Sequence, residues 1–275
     1  MSRPFVQVDV FTSTPYGGNA LAVVLDGAGL TTEEMQRFAA WTNLAETTFL
    51  LPPDDPAADY RVRIFTPTVE LPFAGHPTLG SCHAWLEAGG VPRTAGEVVQ
   101  QCAAGLVRVR ETGEGPAFEA PPLLRSGPVE EPLVERIAES LGIGRDEIVD
   151  AEWADNGPGW VAVLLADAEA VLALRPGPVP HDVGVAGPYP EGSPCAFEVR
   201  AFTPVHGTTV EDPVTGSLNA SLAQWLLRTG RAKAPYVASQ GTVLGRSGRV
   251  RVTEEDGGVW VGGSVVTCVS GRAEL

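Results

Sequence analysis

Residues 5–11 (FVQVDVF) alternate apolar and polar side chains, the two-residue period of a half-buried strand. The turn Tyr16-Gly17-Gly18-Asn19 leads into a short apolar run at 20–25 (ALAVVL), a second strand. Thr31-Thr32-Glu33-Glu34 fits a capping box, with Thr31 as N-cap and Glu34 at N3. The helix it opens sets Met35, Phe38, Ala39 and Thr42 on one face and stops near Asn43. Residues 44–51 (LAETTFLL) read as a strand ended by Pro52-Pro53, and 60–66 (YRVRIFT) alternate as another. His76-Pro77 predicts a helix start with proline at the first helical position, where its missing N–H costs nothing. That helix runs through Leu79, Cys82 and Leu86 to the stop at Gly89-Gly90. Residues 98–102 and 106–111 form a strand pair around Ala103-Ala104-Gly105.

The Gly- and Pro-rich stretch 113–128 is the predicted boundary, giving an N-terminal lobe at 1–118 and a C-terminal lobe at 119–264. Whether the last strand, about 265–275, returns to the first lobe stays open. The second half predicts a helix at 132–141 and strands at 160–165 and 196–202. A helix at 213–228 follows, ended by Gly230, then strands at 242–244, 249–253, 259–261 and 265–269. Strands interspersed with few helices give an α+β fold of two pseudo-symmetric lobes. Each is a curved, mostly antiparallel sheet around a central helix. The small and apolar residues after His76 and after Asp212 mark those central helices.

The chain also states one pattern twice. Phe65-Thr66-Pro67 precedes Gly75-His76-Pro77-Thr78-Leu79-Gly80-Ser81, and Phe202-Thr203-Pro204 precedes Glu211-Asp212-Pro213-Val214-Thr215-Gly216-Ser217. Aligned on Pro-x-x-Gly-Ser, His76 falls opposite Asp212. The two copies lie 137 positions apart, about half of the 275 residues, far beyond the period of a solenoid. Different titratable groups at one repeated position predict two similar lobes facing one cleft.

Composition narrows the partners. A formal net charge of −15 leaves no basic face for nucleic acid or an anionic membrane. It leaves room for a small anionic substrate held by local donors. The longest apolar run, 160–174, is interrupted by Asp167 and Glu169, and the N-terminal residues lack a signal-peptide apolar run, so a cytoplasmic protein is expected. Cys82, Cys102, Cys195 and Cys268 show no metal-ligand spacing and read as reduced, partly buried thiols; no metal is expected. There is no P-loop, GxGxxG, GxSxG or HExxH.

In an extended segment Glu46 shares a face with Leu44, Thr48 and Leu50. If that face is buried, the carboxyl is desolvated, its pKa rises, and it suits proton transfer near neutral pH. The plainer alternative is a strand-end glutamate in water. His76 is either a proton carrier or a turn histidine bound to backbone, and Asp212 is either a site residue or an N-cap. Helix starts at both places would offer free N–H groups to an anion, with Gly75 and Gly216 allowing close approach. His83 reads as packing or a solvated turn, and His181 and His206 sit in loops without evident partners.

Asn43-Leu44-Ala45-Glu46-Thr47-Thr48-Phe49, Phe73-Ala74-Gly75-His76-Pro77-Thr78 and Glu211-Asp212-Pro213-Val214-Thr215-Gly216-Ser217 together resemble the PhzF-like phenazine-biosynthesis family. Val8-Asp9-Val10-Phe11 with Gly18-Asn19-Ala20, and Gln240-Gly241 with Gly245-Arg246, add to the resemblance, which runs from about residue 5 to 271. It implies a diaminopimelate-epimerase-like fold and a homodimer. It also implies an isomerase that moves a proton on a small cyclic or unsaturated carboxylic acid without metal or organic cofactor, as with trans-2,3-dihydro-3-hydroxyanthranilate. By motif, Glu46 is the implied acid/base, and His76 and Asp212 bind and polarise the substrate. Asn19, Gly75, Gly216 and Ser217 are implied substrate-binding positions. The family often has Ser before the catalytic Glu; here it is Ala45.

Two alternatives stand beside this reading. An amino-acid racemase or epimerase of the same fold would use a cysteine in each lobe, yet neither 75–81 nor 212–217 contains one. A non-catalytic small-carboxylate-binding protein would bind its ligand without exchanging a proton with solvent.

Overall fold

A computed structural model describes residues 1–275 as two compact units, Met1–Glu119 with Gly262–Leu275, and Ala120–Val261. In chain order the elements are β1 (Ser2–Val10), β2 (Asn19–Val24), α1 (Thr32–Thr42), β3 (Glu46–Leu51), β4 (Tyr60–Phe65), β5 (Glu70–Leu71), α2 (Gly75–Glu87), β6 (Glu97–Cys102), β7 (Gly105–Thr112) and β8 (Gly115–Glu119). They continue with β9 (Arg125–Pro128), α3 (Glu131–Leu141), β10 (Ile148–Asp155), β11 (Val161–Leu165), α4 (Ala168–Ala173), β12 (Val183–Pro188), β13 (Phe197–Val205) and β14 (Thr208–Asp212). The last are α5 (Gly216–Arg228), β15 (Tyr236–Gln240), β16 (Gly248–Glu255), β17 (Gly258–Gly262) and β18 (Val265–Glu274). No helix is long and apolar enough to cross a membrane.

In the first unit β1 pairs antiparallel with β18 and β2, and β2 runs parallel to β3. β3 is antiparallel to β4, which is antiparallel to β5 and parallel to β6; β7 and β8 complete an antiparallel meander. α2 touches strands near both ends of this order, β18 and β1 at one end, β7 and β8 at the other, so the sheet curls around it. Gly80 makes the close approach possible: a Cβ there would lie 2.6 Å from Leu21 Cδ2. On the sheet's other face α1 lays Met35 and Ala39 against Val24, Phe49 and Phe65. Phe38, Phe49 and Phe65 meet edge to face, and burying each such ring is worth roughly 1.5–3 kcal/mol.

The second unit repeats that pairing step for step. β10 is antiparallel to β9 and β11, β11 is parallel to β12, and β12 is antiparallel to β13. β13 is antiparallel to β14 and parallel to β15, which is antiparallel to β16. α5 takes the place of α2, and a Cβ at Gly184 of β12 would lie 2.1 Å from Leu218 of α5. α3 and α4 cover the other face through Val134, Ile137, Leu141 and Val171.

Local signals set several boundaries. Both capping-box bonds are present: Thr31 N–H donates to Glu34 (2.8 Å), and Glu34 N–H donates to Thr31 Oγ1 (3.2 Å). Asn43 ends α1 in the left-handed region. Other expectations need correction. The apolar triplet 242–244 is a 3-10 turn, because its flanking residues Gly241 and Gly245 are both left-handed. The 113–128 stretch, expected as a boundary, holds β8 and β9, and the two units divide within it between Glu119 and Ala120. β5, β10, α4, β12, β14 and β15 went unread in the sequence.

Candidate functional site

In the first unit, Glu46 opens β3 and His76 is the second residue of α2. Pro77 follows as the third helical residue, whereas the sequence predicts it first. It still falls in the opening turn, where a missing N–H leaves no helical bond unmade. β3 pairs with β2 in parallel, Glu46 opposite Leu21, which brings the start of β2 and its Asn19 beside the start of α2.

The resulting cluster is tight. His76 Nε2 lies 3.2 Å from Glu46 Oε2, with the two side chains 5% and 16% exposed. Asn19 Nδ2 lies 3.4 Å from His76 Nδ1, both buried. Burial pushes the His76 imidazole down from 6.5 to about 3, so at neutral pH the ring is uncharged. A neutral imidazole carries one proton. With the Asn19 amide donating to Nδ1, that proton stays on Nε2, which is in close contact with Glu46 Oε2 without a formed hydrogen bond between them. The turn that delivers Asn19 is fixed by Asp9, whose carboxylate accepts from Gly18 N–H at 3.0 Å.

The second motif is built differently. The sequence predicts a helix from Pro213 and allows Asp212 as its N-cap. Asp212 instead ends β14, and α5 begins at Gly216 with Thr215 as N-cap. Thr215 Oγ1 donates to Asp212 Oδ2 at 2.5 Å. The preceding Glu211 is held by a bidentate pair with buried Arg200 (2.9 and 2.7 Å), which also donates to the carbonyls of Val171 in α4 and of Leu174, its C-cap. That pair anchors β14 and, with it, Asp212.

Neither α2 nor α5 has a side chain capping its first-turn N–H groups, and neither has an acidic residue there. Gly75 and Gly216 are the first residues of these helices, both buried. Such ends attract an anion through N–H groups and the helix dipole. Ser217 is pinned: Trp160 Nε1 donates to its hydroxyl (3.1 Å) and Asn156 Nδ2 donates to its carbonyl (2.8 Å). Asn156, Trp160 and Asn219 carry no signal in the sequence; Asn156 and Trp160 meet Ser217 only through the fold, and Gln240 is marked there only by resemblance.

Remaining candidates take structural places. His83 Nε2 lies 3.1 Å from Thr267 Oγ1 and 3.3 Å from Glu87. His181 packs edge-on against Trp153, and His206 occupies a left-handed turn. All four cysteines are free, and burial pushes the Cys82 thiol up to about 12. No three His, Cys, Asp or Glu side chains are grouped to hold a metal ion.

The family model described as "Phenazine biosynthesis-like protein" (PhzC-PhzF) matches residues 8–271. The chain is 34% identical over 303 residues to trans-2,3-dihydro-3-hydroxyanthranilate isomerase of Pseudomonas aeruginosa, covering 98% of this chain and 99% of that protein. It is also 34% identical over 294 residues to antisense-enhancing sequence 1 of Schizosaccharomyces pombe, covering 98% of each. The crystal structure of a PhzF-family phenazine biosynthesis protein from Bacillus anthracis superposes with a TM-score of 0.83 at 22% identity, covering all of both chains.

Proposed function

We propose that this chain, which belongs to the phenazine biosynthesis-like (PhzC-PhzF) family and is an isomerase, shifts a proton between carbons of a small cyclic or unsaturated carboxylic acid. Trans-2,3-dihydro-3-hydroxyanthranilate is the first substrate to test, since the Pseudomonas aeruginosa relative is named for it. Glu46 is the acid/base. The observation that carries the reading is the buried contact of its carboxyl with a neutral histidine.

The chemistry follows from that contact. The Glu46 carboxylate takes a proton from a substrate carbon, the electron pair left behind shifts through the adjacent double bond, and Glu46 returns the proton to another carbon. Nothing is oxidised or reduced, so this chain needs only a base, a donor and a dry site. His76 is suited as the donor because it is neutral with its proton on Nε2. A charged imidazolium beside Glu46 would hold the carboxylate too tightly for it to accept a proton readily. Gly75 at the start of α2, and Gly216 and Ser217 at the start of α5, are assigned as substrate-binding positions, and Asp212 to a polar substituent. Ala45 offers no hydroxyl where relatives often carry Ser, which widens the range of acids to be screened. Homodimerisation and a cytoplasmic location belong to the same proposal.

The test is proton NMR in D2O with trans-2,3-dihydro-3-hydroxyanthranilate, wild type against Glu46→Gln. The expected result is loss of the starting signals with deuterium gain at a ring carbon, slowed by roughly 10²–10⁴-fold in the variant. Equal rates in the two proteins would remove Glu46 from the mechanism. No turnover by wild type on this acid would remove it as the substrate, and no turnover on a panel of small unsaturated carboxylic acids would overturn the proposed substrate class.

A further inference from the structure

We propose that Gln240 and Thr215 are positioning residues that hold Asp212 in one rotamer as a hydrogen-bond acceptor. The proposal rests on the reading of Asp212 as a substrate-binding group. It is carried by a hydrogen-bond network in which the donors and acceptors of Gln240, Thr215 and Asn219 are assigned.

Gln240 ends β15 and is fully buried. Its Oε1 accepts from the backbone N–H of Thr215 at 3.0 Å, and its Nε2 donates to the backbone carbonyl of Asp212 at 3.2 Å. A backbone N–H only donates and a carbonyl only accepts, so the amide orientation is determined without ambiguity. Nε2 also donates to Thr215 Oγ1 at 2.9 Å. That hydroxyl is therefore an acceptor toward Gln240, and its one proton is directed to Asp212 Oδ2, 2.5 Å away. The short distance suits an O–H donating to a carboxylate. Asn219, 2% exposed, reinforces the frame by donating to Thr215 O (2.9 Å) and to Gln240 Oε1 (2.8 Å).

The backbone around this network has been cleared for it. Gly241 adopts φ 89°, and a Cβ there would stand 2.6 Å from Pro213 O. A Cβ at Gly248 would stand 2.4 Å from Val214 Cγ2. Gly241, just past the end of β15, and Gly248, the first residue of β16, thus admit the 212–214 segment against the sheet. A helix cap would need none of this. Thr215 is at the N-cap position, yet its hydroxyl makes no cap bond and serves Asp212 instead.

Thr215→Val is nearly isosteric and removes only the hydroxyl; Thr215→Ser keeps it. Gln240→Glu keeps an acceptor for Thr215 N–H and replaces the donor with an acceptor, which turns the Thr215 proton away from Asp212. The primary readout is the set of three-bond NMR couplings about χ1 of Asp212, which needs no turnover. Wild type and Thr215→Ser should report one staggered rotamer, and Thr215→Val and Gln240→Glu should report averaging. With trans-2,3-dihydro-3-hydroxyanthranilate, kcat/KM should fall roughly 10- to 100-fold in Thr215→Val and return to within about threefold in Thr215→Ser. A single Asp212 rotamer in Thr215→Val, with that variant folded by circular dichroism, would overturn the proposal. If wild type fails to turn over this acid, that failure counts against it as the proposed substrate, and the couplings still decide the role of Gln240 and Thr215.

Discussion

The two motif regions share a scaffold and differ in what they do with it. In each unit a fully buried glutamine on the strand after the central helix donates its side-chain amide to a threonine hydroxyl at the helix start: Gln100 to Thr78 (3.0 Å) and Gln240 to Thr215 (2.9 Å). The threonine protons then go to different partners. Thr78 donates to the Ala74 carbonyl, within its own helix turn, while Thr215 donates to the Asp212 carboxylate. The titratable groups are housed differently as well. His76 lies inside α2 and is held neutral by burial, and Asp212 lies on β14, half-buried and bound by a hydroxyl. A doubled fold has thus been given one neutral donor and one anionic acceptor. A sequence alignment that sets His76 opposite Asp212 matches the chain and not the geometry.

The sharpest way to break this contrast is to exchange the groups. His76→Asp places a second carboxyl beside Glu46 in a buried site, where desolvation and like charge both oppose ionisation. We expect a cost of roughly 3–5 kcal/mol in stability and loss of measurable turnover. Asp212→His, at a half-buried position, should cost about 1 kcal/mol or less, since the Thr215 hydroxyl can donate to an imidazole nitrogen. Thermal melts at pH 7 read both; equal losses would mean that the two places are equivalent after all.

The next effect concerns acid. The folded protein keeps His76 neutral down to about pH 3, while in the unfolded chain it protonates below about 6.5. The unfolded state therefore binds the extra proton first. Stability from this group is intact above pH 6.5 and is lost progressively as pH falls from about 6.5 to about 3. The full window amounts to a few kcal/mol, at about 1.4 kcal/mol per pH unit. His76→Gln should flatten this part of the curve relative to wild type. Urea melts at pH 7.0, 5.5 and 4.5 measure it, and parallel curves for the two proteins would show that burial does not hold the ring neutral.

Where the sequence was readable, the cause was local. The capping box at Thr31 and Glu34 and the alternation of β1 and β4 need only neighbours a few residues away. β10 was hidden because a register shift between Ile148 and Asp150 breaks its period. β12 (VGVAGP) was hidden because Gly184 yields to Leu218 of α5, and β15 (YVASQ) because its Ser and Gln are buried as bonding groups. The 242–244 triplet misled because apolar content outweighed its glycine flanks. Glu46, His76 and Asp212 were singled out in the sequence through the repeat and the resemblance, and Asn19 through the resemblance alone. The contacts that these residues make were not legible. Asn19 reaches His76 across 57 positions, Gln240 reaches Thr215 across 25, and Asn156 reaches Ser217 across 61. No period in a sequence encodes such distances.

The tautomer of His76 offers a finer test, because Asn19 can be reversed in sense. Asn19→Asp replaces the amide donor at Nδ1 with an acceptor, which draws the ring proton from Nε2 to Nδ1 and leaves Glu46 facing a bare nitrogen. Nitrogen chemical shifts of His76 should show Nε2–H in wild type and Nδ1–H in the variant. Turnover should fall roughly tenfold or more, the usual worth of a displaced proton donor. An unchanged tautomer would mean that Glu46 alone orients the ring.

The smallest effect sharpens the contrast by what it leaves untouched. Cys82 is the one cysteine near the first motif, and in a thiol-based racemase it would be the obvious base. It sits in α2 with no exposed surface, and burial pushes its thiol up to about 12, so thiolate is scarce at neutral pH. Cys82→Ala removes one buried sulfur, and the loss should be about 1 kcal/mol of packing. Turnover, the deuterium pattern in product and the His76 tautomer should match wild type within about twofold. A loss of turnover beyond about tenfold, with the melting temperature close to wild type, would move the proton-transfer role from the Glu46–His76 pair to the thiol. The neutral-donor reading of the first unit would then fail, while the acceptor frame around Asp212 would stand.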